Sequence, residues 1–177
     1  MTTQVLPDQS QSIPEADPLS FARQIALRQL TMAPRSRKEL YDKMLTKGVP
    51  EHIAVAVLDR LVEVGLVDDV AYAHMLVRSK TNSRSLAKRA LRVELTKKGI
   101  DPEIQNTVLA DVTDEDEYRM ATELVAKKIR SMASLSSEAR WRRLTGLLAR
   151  KGYSTGTTIR VVKEQMLEFN DLEIALD

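Results

Sequence analysis

The sequence predicts an all-α fold, a tandem array of three three-helix repeats that is elongated and curved. A Lys-Gly step recurs at intervals of fifty-one and fifty-three residues, at Lys47-Gly48, Lys98-Gly99 and Lys151-Gly152. Hydrophobic residues make up 43% of the chain but aromatic residues only 4%, which suits aliphatic packing between helices. Six glycines and six prolines are too few for a turn-rich β fold.

Each repeat contains a helix, a glycine stop and a second helix. Apolar residues stand eight and four positions before each glycine, a helical spacing, at Leu40 and Met44, Leu91 and Leu95, and Leu144 and Leu148. Another apolar set follows each glycine: Ile53, Val57 and Leu58, then Ile104, Val108 and Leu109, then Thr157, Val161 and Val162. The lysine suits the negative end of a helix, and we expect each glycine to be left-handed.

A further helix precedes this pair in every repeat. The first helix is predicted from Pro18 to about Thr31, and Ser36 with Glu39 then forms a capping box. The second repeat starts at Asp69, a candidate N-cap, and its helix is predicted to end at about Lys80, before the polar segment 81–83.

Cap residues also predict the later helices. Asp101-Pro102 is expected to cap the last helix of the second repeat. The third repeat is predicted to begin near Asp114 with a helix to about Arg130. A serine-rich turn, a helix through Arg150 and a final helix over about 155–169 are predicted to follow.

These elements divide the chain into five segments. We expect a disordered tail over 1–17, repeats over 18–68, 69–113 and 114–169, and an acidic C-terminal tail over 170–177. The N-terminus lacks the basic and apolar regions of a signal peptide, no apolar run approaches membrane-spanning length, and cysteine is absent. These features predict a cytoplasmic monomer that does not enter a membrane.

Charge is strongly segregated although the net charge is only +2. Residues 70–100 carry a net charge of +7, residues 101–117 hold seven acids and no base, and residues 118–163 carry +9. Acidic helix caps would explain the acids but not bases in the middle of helices. The basic bands therefore predict binding to a polyphosphate or to an acidic protein surface.

The predicted binding residues are Arg78, Lys80, Arg84, Lys88, Arg89, Arg92, Lys97, Lys98, Arg140, Arg142, Arg143, Arg150 and Lys151. In this interpretation Arg84, Lys88, Arg89 and Arg92 share one helix. Trp141 lies among the arginines of the third repeat and is either a stacking platform for nucleobases or a core residue.

The sequence offers no convergent catalytic set, so no catalytic residue, cofactor or metal site is predicted. His52 and His74 lie in different repeats without metal-ligand spacing, and no glycine-rich phosphate loop is present. The acidic runs 68–69 and 111–117 are better explained as linkers and helix caps than as divalent-metal ligands.

Four segments together resemble the RecX family of bacterial regulators of the RecA recombinase. They read RSRKELYDKMLTKGV (35–49), LVEVGLVDDVAYA (61–73), SRSLAKRALRVELTKKGID (83–101) and RRLTGLLARKGYS (142–154). The resemblance implies a chain of three-helix repeats that lies in the groove of the RecA filament. It implies inhibition of ATPase, strand exchange and co-protease activities, weaker electrostatic binding to single- and double-stranded DNA, and a role in DNA recombination, DNA repair and the SOS response.

The chain departs from the family pattern at Ser85, where members often have glycine. We expect this serine to cap the helix that follows it.

Two other functions compete with filament regulation. A winged-helix DNA-binding transcriptional regulator would share the helix order of residues 35–67, but it needs a β-hairpin after Val67, where the sequence predicts another helix. A metal-dependent phosphodiesterase would need paired ligands that the acidic runs do not provide.

Overall fold

The computed structural model describes the backbone of residues 17–176 and the side chains of residues 17–170. This part of the chain contains helices and no strands, as the sequence predicts. The α-helices are α1 (Pro18–Met32), α2 (Arg37–Thr46), α3 (Glu51–Glu63), α4 (Asp69–Arg84), α5 (Lys88–Lys97), α6 (Pro102–Ala110), α7 (Asp114–Ile129), α8 (Ser137–Arg150) and α9 (Thr155–Leu176). A short 3-10 helix (Arg130–Met132) follows α7. Nearly all of the predicted N-terminal tail, 1–17, lies outside the described residues.

The chain forms two compact units. Within the described residues, the first consists of 17–35 and Glu39–Val67, and the second of Ser36–Lys38 and 68–176. The second unit therefore contains α4 to α9, which are the predicted second and third repeats. The elongated and curved shape of the whole array stays a prediction.

The first unit has a core of its own. Leu40 and Met44 of α2 are 1% and 0% exposed, and they pack with Leu58 of α3. Two fully buried alanines of α1, Ala22 and Ala26, let that helix pack closely on the same core. The apolar stripe predicted before Gly48 is thus the buried face of α2.

The second unit contains two cores, one for each repeat. Leu91 and Leu95 of α5 are buried in the earlier core, and Leu144 and Leu148 of α8 are buried in the later one. Ala87 stands immediately before α5 but belongs to the later core. The two repeats are therefore interlocked at this residue.

The three glycine stops have the predicted left-handed conformation. Gly48, Gly99 and Gly152 have φ angles of +80°, +71° and +89°. The residue after each glycine donates its backbone N–H to the carbonyl oxygen five residues earlier, from Val49 to Met44 (3.1 Å), from Ile100 to Leu95 (3.1 Å) and from Tyr153 to Leu148 (3.2 Å). This bond is typical of a Schellman helix end. The repeat observed in the sequence is thus a repeat of backbone geometry.

The prediction for α4 was wrong at both ends. Its N-cap is Asp68, whose carboxylate accepts hydrogen bonds from the N–H groups of Val70 and Ala71. The helix continues through residues 81–83, where the Ser83 hydroxyl donates to the Ser79 carbonyl oxygen (2.6 Å) within the helix. It ends at Ser85, which has a φ of +47° and caps the preceding helix rather than the following one.

The start of α4 also separates this fold from a winged-helix domain. The hairpin of such a domain would follow Val67, but α4 begins at Asp69.

The starts of α6 and α7 agree with the sequence prediction, the end of α9 does not, and the capping box of Ser36 and Glu39 stays a prediction. Asp101 caps α6, with Pro102 in the first turn. Thr113 and Asp116 form a capping box at the start of α7. The helix α9 continues past Phe169 to Leu176, since neither glycine nor proline interrupts the chain after Gly156.

Candidate nucleic-acid interface

The predicted cationic residues all lie in the second unit. Arg78, Lys80 and Arg84 are on α4, Lys88, Arg89, Arg92 and Lys97 are on α5, Lys98 is the C-cap of α5, Arg140, Arg142, Arg143 and Arg150 are on α8, and Lys151 is the C-cap of α8. Arg84 therefore does not share a helix with Lys88, Arg89 and Arg92, because the left-handed turn at Ser85 separates them.

Two of these lysines share one acidic partner. The Lys80 and Lys97 ammonium groups lie 3.7 Å and 3.5 Å from different carboxylate oxygens of Glu94. Glu94 is the one acid in the basic segment 70–100. Partly exposed ion pairs of this kind contribute about 1 kcal/mol to stability, and they leave the two lysines less available to a partner.

Two further cations of α5 contact the segment around the acidic run. The Lys88 ammonium lies 3.1 Å from the Asp114 carboxylate, and the Lys88 backbone N–H donates to Glu117 at 2.6 Å. Arg92 donates to the side-chain oxygen of Asn106 at 2.8 Å. The acidic run therefore holds the start of α5 in addition to capping α7.

Arg140 is buried, so the structure removes it from the predicted binding surface. It is only 7% exposed, its Nε donates to the Leu135 carbonyl oxygen at 3.1 Å, and its guanidinium lies 5.1 Å from the centre of the Phe169 ring. The apolar stem of an arginine packs well in a core when its head has such partners. This arginine is a structural residue of the third repeat.

Lys151 takes part in the junction between the two repeats of the second unit. Its ammonium donates to the Arg84 carbonyl oxygen at 2.5 Å, and its own carbonyl accepts the Ala87 N–H at 3.0 Å. The Tyr153 hydroxyl donates to the Ser85 carbonyl oxygen at 2.9 Å. The turn at Ser85 is thereby held by the glycine step of the third repeat.

The environment of Tyr153 changes its acidity. Its side chain is 3% exposed, and this burial raises the pKa of the phenol well above the ordinary value near 10, with smaller effects from Glu117 and Glu123. The hydroxyl therefore keeps its proton and stays a donor at neutral pH.

Six of the predicted arginines remain available to a partner. Within residues 17–170 their side chains are exposed and make no hydrogen bond or ion pair with another side chain or with the backbone; they are Arg78, Arg84, Arg89, Arg142, Arg143 and Arg150. Lysine residues predicted for the same surface are mostly paired or half-buried. Among the predicted residues, the accessible positive charge thus consists mainly of guanidinium groups.

One open cleft brings together residues that are far apart in the sequence. It has a volume of about 540 Å³ and is lined by Arg89 of α5, Trp141 and Arg142 of α8, and Thr158 and Ile159 of α9. Trp141 also packs against the core of the third repeat. It is therefore a boundary core residue that also lines a cationic cleft, and its role as a stacking platform stays a prediction.

Sequence reasoning did not identify Thr158 as a functional residue. Its side chain is 6% exposed, and its Oγ1 is buried with no hydrogen-bond partner among the described residues. It lies next to Thr157 on the apolar face of α9, a position typical of an ordinary core threonine. The sequence carries no signal that distinguishes a satisfied hydroxyl from an unsatisfied one.

The histidines and acids do not form a metal centre in the part of the chain with described side chains, where no group of three or more metal-ligating residues is found. His52 is exposed on α3, and the imidazole of His74 lies 3.9 Å from Asp111. Asp68, Asp101 and Asp116 accept capping bonds at helix starts. Of the helices between residues 17 and 176, none combines the length and apolar character needed to cross a bilayer.

Comparison with known proteins identifies the family. Models of the first, second and third three-helix domains of RecX match residues 22–61, 68–109 and 114–162. The regulatory protein RecX of Streptomyces lividans is 43% identical over 155 residues, covering 88% of this chain and 82% of that protein. The regulatory protein RecX of Mycobacterium avium is 40% identical and covers 82% and 84%.

Solved structures agree with this assignment. The crystal structure of RecX from Lactobacillus salivarius superposes with a TM-score of 0.75 at 26% identity, covering 86% of this chain and 99% of that one. Three domain matches in the expected order, together with these relatives, leave one conclusion. The chain belongs to the RecX family.

Proposed function

We propose that this protein binds the RecA recombinase filament on DNA, in its helical groove, and inhibits its ATPase, strand-exchange and co-protease activities. It would thereby modulate DNA recombination, DNA repair and the SOS response. The observation that carries the proposal is that six of the arginines predicted for the second unit of this RecX-family chain are exposed and unpaired among the described residues.

Unpaired arginines suit a partner made of protein and DNA. A guanidinium group binds carboxylates and phosphates with two parallel hydrogen bonds, so the same surface serves an acidic protein face and a phosphate backbone. Because these arginines have no internal partner among the described residues, binding does not first break an ion pair. Binding to DNA alone is the weaker, electrostatic part of the interaction.

The proposed mechanism is occupancy of the filament rather than catalysis. The acids that would have to hold a metal already accept hydrogen bonds as helix caps or pair with Lys88. We also propose that the protein acts in the cytoplasm as a monomer. Hydrolysis of a nucleotide or of DNA in the presence of Mg²⁺, lost on mutation of Asp114 and Asp116, would contradict this mechanism.

Co-sedimentation tests the proposal directly. The protein is mixed with recombinase assembled on single-stranded DNA, with recombinase alone and with DNA alone, and ATPase activity is measured in parallel. We expect the most protein to pellet with the assembled filament and ATPase activity to fall as it binds. Equal pelleting with DNA alone, or binding that is indifferent to salt, would overturn the proposal.

A further inference from the structure

We propose that the cleft lined by Trp141, Arg89 and Arg142 is a binding site for an unpaired nucleobase and its adjoining phosphate. This inference deepens the proposed function, because it makes single-stranded DNA a partner that this chain distinguishes from duplex DNA. The site is formed by side chains from α5, α8 and α9 of the second unit.

The walls of the cleft suit a flat apolar ligand. Trp141 and Ile159 line it, and Ile159 is 48% exposed. Gly146 and Ala149 of α8 leave room between these walls because their side chains are absent or small. The volume of about 540 Å³ falls within the range of small-ligand sites. Stacking on an aromatic side chain is the usual way in which proteins hold an unpaired base.

The charge of the cleft suits a phosphate. Arg89 and Arg142 are exposed, come from different helices and have no ion-pair partner among the described residues. No aspartate or glutamate with a described side chain lines the cleft. A second cleft of about 300 Å³ in the same unit also holds two arginines, Arg78 and Arg119, but it includes Asp111 and Asp116 as well. The first cleft is therefore the one that a polyanion would enter.

The buried hydroxyl of Thr158 agrees with a ligand in the cleft but does not single this cleft out, because the Oγ1 of Thr81, which lines the second cleft, is likewise buried without a partner among the described residues. A buried polar group without a partner costs about 1–3 kcal/mol, so such groups are uncommon in native proteins. Thr158 lines the cleft, and its Oγ1 has no partner within the described residues. The polar edge of a nucleobase supplies both donors and acceptors. An acidic peptide would pair with the arginines but would leave the tryptophan and the threonine unused.

Tryptophan fluorescence tests the site without recombinase, since Trp141 is the sole tryptophan of the chain. The full chain is titrated at low salt with oligothymidylate, with an abasic strand of the same phosphate count and with a duplex of the same length. We expect strong quenching by oligothymidylate and little by the other two. Equal quenching by the abasic strand would overturn the base site and leave only phosphate binding.

Matched variants separate the cleft from general charge. Arg142→Ala and Arg143→Ala remove neighbouring exposed arginines of α8, but only Arg142 lines the cleft. We expect Arg142→Ala to weaken oligothymidylate binding by the larger factor, measured by anisotropy, and Arg143→Ala to leave the quenching amplitude unchanged. Trp141→Leu, which keeps an apolar side chain against the core, should weaken binding by roughly 5- to 150-fold. Equal effects of the two arginine variants would contradict the site.

Thr158→Val separates ligand binding from stability, because loss of affinity without loss of thermal stability would not result from a purely structural role. Removal of an unsatisfied hydroxyl should leave the melting temperature unchanged or higher, while oligothymidylate affinity falls by about threefold to tenfold. A lower melting temperature with unchanged affinity would overturn the assignment of Thr158 to the site. Co-sedimentation with the recombinase filament is measured separately, so failure of the base site and failure of filament binding are distinguished.

Discussion

The first and second units use the same helix-glycine-helix motif in different surroundings. At Gly48 of the first unit, a methyl group added to the glycine would meet no described atom within 4 Å. At Gly152 of the second unit, it would lie 2.6 Å from the backbone nitrogen of Ala90 and 2.8 Å from its Cβ. One glycine therefore serves backbone conformation alone, whereas the other also permits two repeats to pack.

Gly152→Ala should give the largest effect. Alanine is strained at a positive φ, and its methyl group must also displace the backbone of α5 at Ala90. A helix backbone cannot move aside as a flexible side chain can. We expect the free energy of unfolding to fall by about 2–4 kcal/mol. Urea denaturation followed by Trp141 fluorescence measures it, and a loss no greater than that of the first-unit glycine would contradict the difference in packing.

Gly48→Ala is the matched change in the first unit. Its cost should be only about 1 kcal/mol, because strain at a φ of +80° is the single penalty. Gly99→Ala should also cost more than Gly48→Ala, since the added methyl would lie 2.5 Å from the Cβ of Lys38, an atom fixed to the backbone, and 2.3 Å from its Cδ. Urea denaturation followed by circular dichroism ranks them, and three equal costs would show that contact at the glycines is unimportant.

Tyr153→Phe tests the hydrogen bond that closes the junction. Loss of the bond to the Ser85 carbonyl should cost about 0.5–1.5 kcal/mol at neutral pH. Burial raises the pKa of Tyr153 in the folded protein, so the phenol ionises at a lower pH in the unfolded chain than in the folded one. The stability that the buried phenol contributes is complete below pH 10 and falls as pH rises above 10, because ionisation then favours the unfolded chain. The difference between wild type and variant should therefore shrink above pH 10. A constant difference would contradict the buried environment.

Ser85→Gly should give the smallest effect, with the opposite sign. Serine at a φ of +47° is strained, and glycine adopts this conformation without a steric penalty. We expect a gain of roughly 0.5–1 kcal/mol, with the Tyr153 bond to the backbone retained. A loss of stability in thermal denaturation would indicate that the serine side chain has a role of its own.

The fold was predictable because it rests on local, periodic signals. Leu40, Leu91 and Leu144 are all buried, as helical spacing before a glycine stop requires. The sequence did not show that Ser85 would be left-handed, since that conformation depends on bonds from Lys151 and Tyr153, more than sixty residues away. The local sequence pattern determines which face of a helix is apolar. Contacts between distant residues determine the backbone conformation of a turn such as the one at Ser85.

The candidate site was predictable only in part, for the same reason. Segregated charge identified the second unit, but sequence could not separate the buried Arg140 from the exposed Arg142 two positions later. It also could not show that Arg89 and Arg142 line one cleft, because they lie on different helices. A cation is available to a binding partner only when it has no partner within the protein. Tertiary packing determines which side chains become such internal partners.

One measurement tests the central claim that the second unit carries the filament-binding surface. The variant Arg84→Ala, Arg143→Ala, Arg150→Ala removes three unpaired arginines of the second unit that do not line the cleft. The control Arg23→Ala, Arg28→Ala, Lys47→Ala removes three exposed bases from the first unit. Alanine favours helix, so both proteins should keep their helix content.

Both variants are compared by co-sedimentation with recombinase on single-stranded DNA and by inhibition of its ATPase activity. We expect the second-unit variant to lose filament binding and inhibition together, while the first-unit control retains both. Equal losses from the two variants would show that the arginines are solvated charges with no special role, and would contradict the account.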